Sequence, residues 1–224
     1  MPPALLRNPV SYGLLGRLCN PAWLLVLLTF AGIARAEAPL RILAIGDSLT
    51  HGYGLEQGDG LVPQLQRWLQ ENGAPPVDVI NMGVSGDTTA GGRARLGWAL
   101  GDGGDAVILE LGANDMLRGT DPGETRANLA AMMAELAQRG LPVLLVGMRA
   151  ATNYGPEYQA AFDAIYPEIA GRHGALLYPW FFAGIAGDPA MFQADGLHPS
   201  AAGIDAVVSR MGPLVLELIE KARQ

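Results

Sequence analysis

The sequence predicts an α/β sandwich in which helices cover both faces of a five-stranded parallel sheet. Short apolar runs alternate with longer amphipathic stretches from residue 40 to the C-terminus, as strands and helices do in doubly wound folds. The runs are continuous rather than alternating, which is typical of strands that are buried on both faces. No internal repeat, low-complexity segment or linker interrupts this pattern. We therefore expect one folded domain.

Five apolar runs predict the strands of the sheet. They lie at residues 40–45, 77–81, 106–111, 142–148 and 175–178. Amphipathic stretches between and after them predict five helices, at residues 61–72, 88–100, 124–139, 156–173 and 200–222. Glycine follows several of these stretches, as it does at many helix C-termini.

Residues 1–36 have the pattern of a signal peptide and are not expected to belong to the fold. Arg7 and Arg17 precede an apolar stretch at residues 23–31, and Ala34-Arg35-Ala36 supplies a small-x-small cleavage pattern. The alternative is an uncleaved anchor, but the stretch is shorter than the roughly 20 residues that span a bilayer. Cys19 precedes the apolar stretch, whereas a lipoprotein cysteine would follow it. We therefore expect export to the periplasm or the medium, no stable membrane anchor after cleavage, and a single domain at residues 37–224.

The expected mature chain is acidic and contains no cysteine. Removal of residues 1–36 takes three arginines from 15 basic residues and none of the 22 acidic ones, so the net charge becomes 12 − 22 = −10. A charge of this sign makes nucleic acid an improbable partner. Because Cys19 is the only cysteine of the chain, the mature domain must be stabilised by packing rather than by disulfides.

Polar side chains follow four of the predicted strands. Ser48 follows the first strand, residues 83–87 the second, residues 112–115 the third, and Asn153-Tyr154 the fourth. The carboxyl ends of parallel strands lie at one edge of a sheet, where ligands bind in open α/β folds. We therefore expect these residues to form one site.

Ser48, His198 and Asp195 have the residue types that nucleophilic catalysis requires. A serine hydroxyl needs an imidazole to take its proton and a carboxylate to orient that imidazole. Of the three histidines, only His198 has an acidic residue three positions earlier, Asp195, in a segment rich in Gly and Pro. A Gly-Asp-Ser triplet alone is also common in turns, where the serine caps a helix.

Acyl transfer also needs hydrogen-bond donors for the oxyanion that forms on the substrate carbonyl. Three candidates follow the first three strands: the backbone N–H groups of Ser48 and Gly86 and the side-chain amide of Asn114. Glycine permits close approach to a ligand, and the amide donates without carrying a charge. A simple strand-to-helix turn is the alternative interpretation of each segment alone.

Taken together, these segments resemble the SGNH hydrolase superfamily, also called the GDSL esterases and lipases. The resemblance covers residues 40–224 and is closest to the bacterial periplasmic arylesterases and the multifunctional thioesterase I, protease I and lysophospholipase L1 group. It rests on Gly46-Asp47-Ser48-Leu49, Gly52-Tyr53-Gly54-Leu55, Ser85-Gly86-Asp87-Thr88-Thr89, Glu110-Leu111-Gly112-Ala113-Asn114-Asp115, Leu117-Arg118-Gly119, Asn153-Tyr154-Gly155 and Asp195-Gly196-Leu197-His198-Pro199.

The resemblance implies a flavodoxin-like three-layer α/β/α sandwich and a cofactor-free serine hydrolase. It implies Ser48 as nucleophile, His198 as general base and Asp195 as its orienting group. Ser48, Gly86 and Asn114 are implied as oxyanion donors, in agreement with the roles reached from chemistry. His51 departs from the relatives, which usually have a small residue there; a solvated turn residue is the simpler interpretation of it.

Further side chains are assigned either to the substrate cleft or to the fold. Tyr154 and Tyr158 are expected to border the substrate cleft. Its apolar wall is expected to include Met116, Leu117, Phe181 and Phe182, and core packing is the alternative for each of these residues. We interpret Asp47 and Asp115 as carboxylates that stabilise turns. His173, at a predicted helix end, is expected to interact with the helix dipole. The sequence contains no pattern typical of a catalytic metal site or a phosphate-binding loop.

The sequence therefore predicts a serine esterase for aryl and short-to-medium acyl esters. Thioesters and lysophospholipids, or acyl transfer to a glycan, are alternatives that use the same residues. A binding module without turnover is an alternative of another class, but it would not require a complete set of catalytic groups.

Overall fold

The computed structural model describes residues 38–101 and 103–224; the predicted signal peptide lies outside the described residues. Five parallel strands form one sheet in the order β2-β1-β3-β4-β5. The strands are β1 (Leu40–Gly46), β2 (Val77–Gly83), β3 (Ala106–Glu110), β4 (Val143–Val146) and β5 (Leu176–Tyr178). The predicted fold class is confirmed.

Burial follows the position of each strand in the sheet. Every residue of β3 and β4 is buried, and so are the last five residues of β1. The two edge strands, β2 and β5, contain partly exposed residues. The apolar runs of the three central strands thus correspond to strands covered on both faces, as is typical of parallel sheets.

Helices cover both faces of the sheet. They are α1 (Ser48–His51), α2 (Leu61–Glu71), α3 (Thr89–Ala99), α4 (Ala113–Leu117), α5 (Pro122–Gln138), α6 (Pro156–Asp163), α7 (Ile165–His173) and α8 (Ala201–Ala222). The helix α2 packs against α8, while α5 packs against both α3 and α7. With right-handed crossovers, these two groups lie on opposite faces of the sheet.

Capping residues explain several helix starts. The side chains of Thr88 and Ser200 accept hydrogen bonds from backbone N–H groups in the first turns of α3 and α8. The side chain of Asp121 caps α5 in the same way, with Pro122 at the first helical position. Such caps satisfy N–H groups that have no partner within the helix. The helix predicted at residues 124–139 therefore begins two residues earlier than expected.

The single helix predicted at residues 156–173 is divided into α6 and α7, which meet at Ala164. Pro167 has no N–H to donate to the carbonyl of Asp163, and its ring would clash with that carbonyl in a continuous helix. The division falls where this missing bond would have been. That part of the prediction was wrong.

Two short helices that were not predicted begin directly after strands. Of the four turns at the carboxyl edge, those after β1 and β3 become α1 and α4. Ser48 is the first residue of α1 and Asn114 the second residue of α4. Both helices have too few residues to show a helical period in the sequence. Within the described part of the chain, no helix is both long enough and apolar enough to cross a membrane.

Gly83 allows β2 to end against the turn at residues 47–51, which carries Ser48. A Cβ at this position would lie 2.3 Å from the backbone nitrogen of His51 and 2.7 Å from its Cα. Because backbone atoms cannot rotate away, we expect Gly83→Ala to lower the free energy of unfolding by about 1–3 kcal/mol, measured by urea denaturation.

Gly97 provides the matched control for this substitution. It lies within α3, and a Cβ there would meet nothing within 4 Å. Gly97→Ala should raise the free energy of unfolding by about 0.5–1 kcal/mol, because alanine loses less backbone entropy in a helix. Equal urea midpoints for wild type and Gly83→Ala would contradict the close approach of Gly83 to the His51 backbone.

Candidate active site

Ser48 is presented by a tight turn between β1 and α1. Asp47 precedes it as the helix N-cap, and its Oδ1 accepts a hydrogen bond from Leu49 N at 3.0 Å. After one turn the helix ends at Gly52, whose φ is +87°. This geometry holds the Ser48 hydroxyl at the carboxyl edge of the sheet.

His198 connects Ser48 to Asp195. His198 Nε2 lies 2.9 Å from Ser48 Oγ, and His198 Nδ1 lies 2.6 Å from Asp195 Oδ2. The structure thus brings together the three residues that the sequence predicts as a catalytic triad. Separations of this length are those expected between a nucleophile, its base and the orienting group.

Asp195 is held ionised by the groups around it. Its hydrogen bond with His198 and the backbone N–H groups of His198 and Leu197 lower its pKa to about 2. An ionised carboxylate accepts the Nδ1 proton of the imidazole, which leaves Nε2 with a lone pair facing Ser48. The tautomer that a general base requires follows from this arrangement.

The three predicted oxyanion donors border one cavity. Ser48, Gly86 and Asn114 all line a cavity of about 320 Å³ together with His198. Gly86 has a φ of +82°, and its carbonyl accepts a hydrogen bond from Arg118 Nη2 at 2.9 Å. The residue most suited to a positive φ is glycine, so this conformation accounts for Gly86 in the turn.

Asn114 is oriented by Asp47. Its side-chain Nδ2 donates to Asp47 Oδ2 at 3.0 Å. Because a carboxylate only accepts hydrogen bonds, this contact fixes which end of the amide is the nitrogen. The second Nδ2 hydrogen is then available to the cavity. Asp47 therefore does more than stabilise its turn.

The walls of the cavity agree with part of the predicted substrate contacts. Met116 and Leu117 line it, whereas Tyr154 does not. The hydroxyl of Tyr154 donates to Leu117 O at 3.1 Å, and its ring stacks on Tyr158. Tyr154 thus supports a cavity-lining segment from outside the cavity.

Phe182, expected in the apolar wall, lines the cavity, whereas its neighbour Phe181 is fully buried. Sequence reasoning missed four other lining residues, Leu49, Tyr53, Ala113 and Leu197. Their sequence pattern does not distinguish them from core or loop residues. The remaining two histidines, His51 and His173, do not border it. His51 is exposed, and His173 lies in the last turn of α7.

Asp115 and Thr89 join the turn after β3 to helix α3. The carboxylate of Asp115 accepts hydrogen bonds from Thr89 N at 2.8 Å and from Thr89 Oγ1 at 2.5 Å. Both residues are buried. This contact is consistent with the structural role expected for Asp115.

Glu110 lies beneath the turn that carries Ser48, and its sequence context predicts no role for it. It is fully buried at the end of β3, and its Oε2 accepts from Thr50 Oγ1 at 2.8 Å and from Asp47 N at 3.4 Å. Its Oε1 has no hydrogen-bond partner among the described residues. A glutamate at the end of an apolar strand was the available signal, because ionisable residues are rarely buried without a partner.

Burial raises the pKa values of both carboxyl groups beneath the turn. Desolvation raises the pKa of Asp47 to about 6, despite hydrogen bonds from Leu49 N and Asn114 that lower it. Desolvation and the neighbouring Asp47 charge raise the pKa of Glu110 well above its ordinary value. Two adjacent buried carboxyl groups cannot both ionise cheaply. Burial and the neighbouring Asp47 charge thus both favour the protonated form of Glu110.

A family model described as the GDSL-like lipase/acylhydrolase family matches residues 44–206. Three curated proteins are similar over most of their length. Esterase TesA of Pseudomonas aeruginosa is 38% identical over 87% of this chain and 94% of its own. An arylesterase of Vibrio mimicus is 37% identical over 78% and 87%. Thioesterase 1/protease 1/lysophospholipase L1 of Escherichia coli K12 is 36% identical over 80% and 83%.

A solved structure is similar as well. The SGNH-hydrolase family esterase AlinE4 is 42% identical, with a TM-score of 0.69 over 81% of this chain and 97% of its own.

Glu110→Gln tests the protonation of the buried carboxyl pair. Folded Glu110 binds its proton more tightly than the unfolded chain does. Its contribution to stability is therefore complete at low pH and is lost as the pH rises through the folded pKa. As the pH rises above the ordinary pKa of a glutamate, the free energy of unfolding of Glu110→Gln should fall less steeply than that of wild type. Urea denaturation at pH 5, 6 and 7 measures this difference.

Glu135→Gln is the control for a removed carboxyl group. Glu135 lies on the surface of α5, where its side chain is 40% exposed and pairs with Arg139; the effect of Glu110→Gln on the pH slope should exceed that of this substitution. A Glu110→Gln slope equal to that of wild type would show that Glu110 ionises normally in the fold.

Proposed function

Since the chain belongs to the GDSL-like lipase/acylhydrolase family and is an esterase of that family, we propose that it hydrolyses carboxylic esters through an acyl-enzyme on Ser48. The observation that carries this proposal is the continuous contact from Ser48 Oγ through the His198 ring to the Asp195 carboxylate. The same cavity holds the three candidate oxyanion donors. Nucleophile, base, orienting group and oxyanion site are the parts that acyl transfer needs.

Acylation begins with proton transfer from Ser48 to His198. Ser48 Oγ attacks the ester carbonyl carbon as its proton moves to His198 Nε2, and the carbonyl oxygen becomes an oxyanion. The N–H groups of Ser48 and Gly86 and the Asn114 amide donate to that oxyanion. The C–O bond to the alcohol then breaks, and the alcohol leaves with the proton from Nε2. Asp195 stabilises the imidazolium throughout.

Deacylation repeats these steps with water. His198 Nε2 removes a proton from water, which attacks the acyl carbon and forms a second oxyanion in the same site. Collapse of this intermediate breaks the bond to Ser48 Oγ, which recovers a proton from Nε2. The carboxylic acid is released. No step requires a metal or an organic cofactor.

The proposed substrates are aryl esters and esters of short to medium acyl chains. A volume of about 320 Å³ falls at the small end of ligand sites, and Met116, Leu117 and Phe182 give the cavity an apolar wall. The names of the similar proteins include both arylesterase and thioesterase. Small amphipathic or lipid esters are therefore the proposed partners of the site.

A second candidate, an acyl-thioesterase or lysophospholipase, is favoured by a neighbouring groove. This groove has a volume of about 690 Å³ and shares Phe182 and Leu197 with the catalytic cavity. Aromatic side chains, including Trp180 and Phe192, contribute to its lining. A longer acyl chain than the catalytic cavity can hold would extend into it. The length of the preferred acyl chain separates the two candidates.

Hydrolysis of p-nitrophenyl esters from acetyl to palmitoyl tests the proposal directly. We expect turnover by the wild type and a loss of at least about 10³-fold in kcat for Ser48→Ala and His198→Ala, because both act in the same step. Phenyl acetate and an acyl thioester extend the series. If kcat/KM is highest for short acyl chains, the result supports an arylesterase. If it is highest for long acyl chains, the result supports a thioesterase or lysophospholipase.

A fluorophosphonate probe separates catalysis from simple binding. It should label the wild type and leave Ser48→Ala unlabelled, because only an activated serine reacts. If the folded wild type remains unlabelled, the result supports a binding module without turnover. If His198→Ala retains wild-type turnover, His198 is not the general base. The ratio of free carboxylic acid to acylated glycan, measured with an added glycan acceptor, tests the alternative function of acyl transfer to a glycan.

The proposed location is the periplasm or the medium, with residues 37–224 as the mature domain. Export of the full chain should yield a protein whose N-terminus is Glu37, measured by mass spectrometry. Replacement of both Ala34 and Ala36 by bulky residues should block cleavage, because the cleavage pattern requires small residues there. An exported protein that retains residues 1–36 would contradict the proposal.

A further inference from the structure

Gln193 lies between the two segments that carry the nucleophile and the general base. Its side-chain Nε2 donates to Tyr53 O at 2.8 Å and to Pro199 O at 2.9 Å. Tyr53 belongs to the turn that follows Ser48, and Pro199 follows His198 directly. Both hydrogens of one amide nitrogen thus join these segments.

The loop that carries Asp195 and His198 has little apolar packing of its own. Residues 194–197 are exposed. Hydrogen bonds hold the loop instead, among them Gln193 N to His198 O at 2.8 Å and the antiparallel bridge between Phe192 and Pro199. These bonds define the shape of the loop. They do not fix its position relative to Ser48.

Gly54 provides the space for the Gln193 amide. A Cβ on Gly54 would lie 2.2 Å from Gln193 Oε1, and the φ of Gly54 is +74°. The preceding residue, Tyr53, packs its ring against the His198 imidazole with 4.7 Å between ring centroids. The Gly52-Tyr53-Gly54 segment therefore contacts the catalytic base by its side chain and the base-carrying loop by its backbone.

We propose that Gln193 is a positioning residue for the general base, whose side-chain amide ties the His198 loop to the Tyr53 turn and so sets the separation of Ser48 and His198. This inference rests on the proposed function of that pair. Gln193 acts through His198 and is not among the residues that line the Ser48 cavity. Displacement of a catalytic group by about 1 Å can cost about 10²-fold in rate. We therefore expect loss of the two Gln193 hydrogen bonds to lower kcat measurably.

Glutamine is suited to this position because it offers two donors on one neutral nitrogen. Methionine has a similar length and no donor, so Gln193→Met removes both hydrogen bonds with little change in volume. The position also borders the neighbouring groove. A role in binding substrate there would change KM rather than kcat.

Gln193→Met should lower kcat for a short p-nitrophenyl ester by about 10- to 100-fold. The KM should stay within about twofold of wild type, and the urea midpoint should show that the domain remains folded. Gln66→Met is the matched control. Its Nε2 donates to Val77 O and its Oε1 accepts from Val79 N, both at 2.8 Å, and it lies outside the site. Its kcat should equal that of wild type.

A double-mutant cycle with His198→Ala tests whether Gln193 acts through the imidazole. Once the imidazole is absent, Gln193→Met should cause no further loss of residual activity, because groups that act as a unit are not additive. An equal loss in both backgrounds would identify a merely structural role. Unchanged kcat, or a rise in KM alone, would also overturn the proposal.

Gly54→Ala provides an independent second variant. Its methyl group would displace the Gln193 amide, so its kcat should fall as in Gln193→Met, and the combined variant should lose no more than either one. If the losses of kcat in the two single variants add fully in the combined variant, the two residues do not act through the same hydrogen bonds. Full activity of Ser48→Ala would instead overturn the proposed function itself, so the two failures are distinguishable.

Discussion

Hydrogen bonds connect the turn after β1 to the end of β3 and to the turn that follows it, and the positions of the proposed nucleophile and of a proposed oxyanion donor depend on them. Glu110, at the end of β3, accepts hydrogen bonds from Asp47 and Thr50 on either side of Ser48. Asp47 in turn accepts from Asn114 in the next turn. Ser48 and Asn114 are thereby fixed against each other by groups that never contact substrate. Such supporting contacts hold catalytic groups in geometry that loops alone do not provide.

This support has a cost in stability. Two carboxyl groups without exposure to solvent lie side by side, and one oxygen of Glu110 has no partner among the described residues. Burying polar groups without full hydrogen bonding is unfavourable. The apolar core between the sheet and the two helix layers offsets it. Strained or desolvated groups are common near functional sites, because selection for activity maintains the required geometry even where it lowers stability.

The sequence predicted what depends on periodicity and on scarce residue types. All five strands were predicted because short apolar runs alternate with amphipathic stretches, and a triad was proposed because few histidines compete for the role. The break at Ala164 was missed because Pro167 acts on a carbonyl one turn earlier. Glu110 and Gln193 were missed for another reason: each acts through contacts between segments far apart in sequence. Tyr154 was expected to contact substrate because its motif follows a strand, but the direction of its side chain is set by Leu117 and Tyr158.

The exposure of the Asp195 loop means that catalysis and the fold need not fail together. The Asp195 side chain is 37% exposed, and the residues around the tip of the loop are exposed as well. Segments held mainly by hydrogen bonds near solvent open at a lower free energy than a buried sheet does. We therefore expect mild heat or denaturant to separate His198 from Ser48 while all five strands remain paired. Inactivation of this kind would reverse on cooling, and it would begin below the melting temperature of the domain.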